Sequence, residues 1–139
     1  MTRTNPAENE AMRLPQIIVY EKDGRLKAQL APLAALRRWA LREARQAETC
    51  LRLLGRGGPA VLVVKAGRDL ERELALLERA AWLYPEVRAV LVGDGDQPGL
   101  AGLAWDLGAA CVLLPPQPRE GLPDVVAGLL GEKAEAEKG

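Results

Sequence analysis

At 139 residues, 48% apolar and 27% charged, the chain has the length of one domain and the composition to fold around a single core. Its nineteen lysines and arginines balance nineteen aspartates and glutamates, which argues against a general nucleic-acid or membrane-surface binder, since both need a basic face.

Residues 1–14 (MTRTNPAENEAMRL) are polar and unpatterned and read as a flexible arm without a leader-like apolar stretch. The domain proper is expected over 15–130, with 131–139 a charged tail that extends the last helix or frays. The run IIVY at 17–20 predicts a first strand. After Asp23 and Gly24, the spacing of Leu26, Leu30, Leu33 and Leu36 predicts a helix. Pro32 implies that this helix is kinked or begins near Ala31, with proline in its first turn. A weaker edge strand is expected over 39–42 and a helix over 44–54, closed at Gly55. The β-branched run AVLVV at 60–64 predicts a strand buried on both faces. Asp69 is placed to cap the next helix, with Glu71 and Glu73 near its positive end and Leu70, Leu74, Leu77 and Ala81 as its buried stripe. A strand over 87–92, a glycine-weakened helix over 98–107, a fifth strand over 110–114 and a last helix over 122–130 complete the pattern. Strands alternating with helices favour parallel pairing through right-handed crossovers, a three-layer doubly wound α/β sandwich whose functional crevice lies at the carboxyl ends of the strands.

The residues at those ends carry a resemblance. PQIIVYE at the first strand, GGPAVLVVKAG at the third and GAACVLLPPQPREGL at the fifth resemble the receiver domain of bacterial two-component response regulators, over about residues 16–130. The resemblance implies a flavodoxin-like sheet of order 2-1-3-4-5. It also implies a degenerate phosphorylation pocket. Tyr20 and Glu21 stand where the family has two magnesium-holding acids, so one acid survives. Counting six residues from Pro59 puts Lys65 at the phosphoacceptor aspartate. Gly93 (or Val92, if the register slips by one) replaces the hydroxyl residue of the fourth strand. Pro115 replaces the lysine of the fifth, while Pro116 matches the family's proline. Aspartyl phosphorylation needs a carboxylate nucleophile, a divalent cation and a cation that holds the product oxygens. The resemblance therefore implies a pseudo-receiver that is not an enzyme, needs no cofactor or metal and acts by protein–protein contact. An ion pair between Lys65 and Glu21 is expected to fill the pocket.

Other chemistry has little footing. The chain has no histidine and no serine, which removes the commonest general base, the usual zinc ligands and a serine nucleophile. Cys50 and Cys111 lack ligand spacing and read as small buried hydrophobes in a reducing, cytoplasmic setting. Gly93 and Gly95 begin like a dinucleotide fingerprint, but Pro98 takes the third glycine position. Asp94 and Asp96 read as exposed turn acids. The arginines at 37, 38, 42 and 45 read as a solvated face. Trp105, on the fourth helix, is a candidate interface anchor together with Val112 on the fifth strand, or else packs against the sheet. With no output domain attached, the effect is expected on a protein partner or through a homodimer, with no nucleic acid and no membrane. The alternative function is a small-ligand or nucleotide-binding flavodoxin-like domain using the crevice around Glu21, Lys65 and residues 93–96. Lysine chemistry at Lys65 ranks last, because a neighbouring Glu21 would hold the amine protonated.

Overall fold

The computed structural model describes residues 14–95, 97–115 and 119–138, with side chains given up to Glu132. Residues 1–13, Asp96 and Pro116 lie outside the described residues. Five strands, β1 (Gln16–Tyr20), β2 (Ala40–Ala44), β3 (Ala60–Ala66), β4 (Arg88–Gly93) and β5 (Cys111–Leu113), form one parallel sheet of order β2-β1-β3-β4-β5. The helices α1 (Arg25–Arg37), α2 (Ala47–Leu54), α3 (Leu70–Leu83), α4 (Leu100–Asp106) and α5 (Leu122–Lys138) alternate with them. This is the expected doubly wound α/β architecture.

Strand alternation divides the core into two layers. Ile17, Val19, Val61, Val63, Val90 and Val92 face α1 and α5, meeting Leu26, Leu30, Leu122 and Leu130. On the other face Ile18, Leu62, Val64 and Leu91 meet Cys50, Leu54, Leu77 and Ala104 from α2, α3 and α4. Central strands buried on both sides explain why β1, β3 and β4 read as unbroken apolar runs.

Several expectations about the elements are corrected. α1 starts at Arg25, so Pro32 lies in its interior and not in its first turn. Proline supplies no N–H for the Ala28 carbonyl, but both residues are exposed and water can serve that oxygen. Leu36 falls off the buried stripe and is 80% exposed, Ala34 taking the place beside Leu26 and Leu30. Ala44 is buried at the end of β2, and extended Gln46 delays α2 to Ala47. α4 begins only after Gly99, whose left-handed φ of 80° cannot continue a helix. The buried stripe of α3 is Glu73, Leu76, Leu77 and Ala80, rotated from the leucine-based expectation because a glutamate occupies the inner face. The last helix continues through the charged segment to Lys138.

Candidate functional site

The carboxyl ends of β1, β3 and β4 open into one cleft of about 980 Å³, lined among others by Tyr20, Glu21, Lys65, Glu73 and Asp94. Parallel register sets this up: Tyr20 is level with Val64, and Lys65 is level with Val92. β3 runs two residues further than its β-branched run, so Lys65 is its penultimate residue. Gly93 and Pro115 are not part of the lining among the described residues.

Glu21 is 4% exposed and is committed to α1. Its Oε1 accepts from the Leu26 N–H at 2.9 Å and its Oε2 from the Lys27 N–H at 2.8 Å. Gly24, left-handed at the N-cap, offers no side chain, so Glu21 satisfies donors that the cap residue leaves open. Burial pushes its carboxyl pKa up, against the pull of these two hydrogen bonds.

Lys65 therefore does not pair with Glu21 as expected. Its Nζ lies 2.7 Å from Asp94 Oδ2, while Arg119 Nη1 lies 2.6 Å from Asp94 Oδ1. The Glu21 carboxylate is held toward the helix, whereas Asp94 projects from the loop after β4 with both oxygens free for cations. The Lys65 contact is close but badly angled: the ammonium nitrogen is shut off from solvent and makes no properly directed hydrogen bond. Arg119 also offers its carbonyl to Gln29 Nε2 at 2.8 Å. The triad thus ties the end of β3, the β4–α4 loop, the turn before α5 and the flank of α1 together.

Glu73 is the second buried acid. Its Oε1 accepts from the Gly67 N–H at 2.8 Å and its Oε2 from the Asp69 N–H at 3.1 Å. Asp69 caps the Arg72 N–H at 3.4 Å. Together they fix the loop that follows Lys65. Tyr20, buried at the end of β1, has its phenol pKa raised by burial first and by the nearby Glu73 charge second.

These residues do not suit a magnesium ion. Glu21, after β1, has both oxygens engaged by helix N–H groups, and a lysine ammonium occupies the end of β3. Among the described residues, no group of three or more acidic or thiol side chains is placed to hold a metal.

A side chain at Gly93 would require Leu114 to shift: an added Cβ would stand 2.6 Å from Leu114 Cδ2. Val112 is buried in the core under α4, which takes it off any interaction surface. Trp105 is 51% exposed, so it does not pack down onto the sheet. Pro115 is exposed in the turn after β5. Sequence reasoning placed Glu73 near the positive end of its helix but not in the interior, and it missed Arg119, for which the sequence held no signal.

The two acids have opposite pH consequences. Asp94 is held below its ordinary 3.8, chiefly by the Lys65 ammonium 2.7 Å from its carboxylate. Its contribution is complete above that value and is lost as pH falls through the lower folded value. Glu21, raised above 4.5 in the fold, contributes stability that grows as pH falls through its folded value. Asp94→Asn is accordingly expected to flatten the acid limb of stability, and Glu21→Gln to steepen it. Urea midpoints between pH 3 and 6 check both signs.

No protein-family model and no curated protein matches the sequence. Solved structures do match. A response regulator receiver domain protein (CheY-like) from Methanospirillum hungatei JF-1 superposes with a TM-score of 0.71 at 16% identity, covering 91% of this chain and 99% of that one. The signal receiver domain of an HD domain-containing protein from Pseudomonas fluorescens Pf-5 gives 0.70 at 22% identity, covering 91% and 93%. A pilus assembly-related protein from Burkholderia pseudomallei K96243 gives 0.64 at 19% identity, covering 87% and 92%. The fold is that of response-regulator receiver domains. One further neighbour is a DNA-binding response regulator of the LuxR family from Staphylococcus aureus (TM-score 0.66, 13% identity, 84% and 98% covered), so these comparisons lend no support to the expected exclusion of nucleic acid. Among the described residues no helix is long and apolar enough to cross a membrane.

Proposed function

We propose that this receiver-fold chain is a signalling or scaffolding module that works by protein–protein contact, without catalysis and without aspartyl phosphorylation. The observation that carries the reading is Lys65, whose ammonium sits at the end of β3 against Asp94 at 2.7 Å. In a receiver that position supplies the nucleophile, and an amine cannot form the acyl phosphate that a carboxylate forms. The surroundings agree with it. Glu21 is spent on the α1 N-terminus, and Gly93 brings no hydroxyl, a Cβ there meeting Leu114 Cδ2 at 2.6 Å. The Lys65–Asp94–Arg119 triad holds in one arrangement the loops that a phosphorylation switch would have to move. Regulation then comes from the partner's presence or abundance. Incubation of the full chain with acetyl phosphate and magnesium is expected to leave its intact mass unchanged, and calorimetric titration with magnesium to give no saturable heat. A phosphoryl adduct released by hydroxylamine would overturn the proposal.

A further inference from the structure

The outer face of α3 presents Glu71, Arg72, Ala75, Glu78, Arg79 and Trp82, all exposed. At 83% exposure Trp82 is the most exposed large apolar side chain among the described residues. Tryptophan is the residue type most concentrated at the energetic centres of interfaces. Ala75, seven residues and so about two full turns before it, is the only small side chain on the same face. Two acids and two arginines share this face, so it carries no net charge.

Their order along the helix is self-complementary. When a second α3 is laid antiparallel across the first, with the two-fold axis between Glu78 and Arg79, each Glu78 meets the other copy's Arg79. Trp82 of each copy then lies over Ala75 of the other. Residues 78 and 79 are adjacent in sequence and cannot satisfy each other on one helix, which leaves both available to a facing helix. The face broadens toward α4. An added Cβ on Gly108, just past that helix, would stand 2.8 Å from the Ala81 Cβ, and α4 itself carries Trp105 at 51% and Leu103 at 45% exposure.

From this we infer that a second copy of the same chain occupies the face, forming a two-fold dimer in which antiparallel α3 helices cross at Glu78 and Arg79. The charge pattern favours self-association over a foreign partner, because a face with internally matched charges is complementary to itself and repels neither sign. The inference rests on the protein-contact part of the proposed function and is independent of its phosphorylation part.

The test is sedimentation equilibrium of the full chain, with circular dichroism confirming that each variant is folded. The wild type is expected to show a concentration-dependent monomer–dimer equilibrium, and Trp82→Ala to be monomeric over the same range. Glu78→Arg and Arg79→Glu each place like charges in contact twice and are expected to weaken the dimer at least about tenfold. Combining them re-forms both pairs with the signs exchanged and is expected to restore dimerisation. A wild-type chain that is monomeric throughout, a dimer indifferent to these substitutions, or a double variant that stays monomeric overturns the inference. None of these outcomes touches the reading of Lys65, and a phosphoryl adduct on a dimeric chain would sink that reading alone.

Discussion

Glu73→Ala is expected to lower folding stability by about 2–4 kcal/mol, from the loss of two charge-assisted hydrogen bonds and the exposure of their donors as unpaired groups. The carboxylate is 4% exposed and accepts from both Gly67 and Asp69. A cavity left there by alanine would border backbone N–H groups that no other side chain reaches among the described residues. Glu73→Gln keeps one acceptor oxygen and is expected to recover part of the loss. Urea denaturation followed by circular dichroism measures both. An alanine variant within about 0.5 kcal/mol of wild type, the range of ordinary surface substitutions, would show that water replaces the carboxylate without cost.

The second large effect concerns the last residue of β4. Gly93→Ser would install the hydroxyl that receivers use there, yet its Cβ would enter a space held by Leu114 Cδ2 at 2.6 Å. Overpacking of this kind costs about 1–3 kcal/mol. Leu114 is itself a core side chain, so Leu114→Ala alone is expected to be destabilising, by about 2–5 kcal/mol. The diagnostic result is their coupling: Gly93→Ser should cost less in the Leu114→Ala background than in wild type. Additive losses would locate the strain in the backbone and not in this contact.

Much of the fold could be read from the chain because its central strands advertise themselves. AVLVV at 60–64 is buried on both faces, and few local patterns other than a central parallel strand produce such a run. Helix starts were harder to read. Gln46 and Gly99 delay α2 and α4 through backbone conformation, which apolar spacing does not encode. At the site, the count from Pro59 placed Lys65 at the end of β3 but did not give its partner. Glu21 and Asp94 are both acids at strand ends. The choice between them was decided by two helix N–H groups that hold Glu21 away, a tertiary fact. Trp82 was legible only as an aromatic on a helix. Its exposure depends on α3 turning a glutamate inward, and that rotation ran against the leucine pattern.

The sheet's two outermost strands have a bearing on how copies of this chain can meet. β5 is only three residues long, with Val112 and Leu113 buried. β2 places exposed Arg42 and half-buried Glu43 along its length. Neither margin offers a long, flat, uncharged row of backbone donors and acceptors, the kind of template on which strands add to one another and aggregates grow. Copies of the chain can therefore accumulate in one place with open-ended strand addition discouraged at both margins.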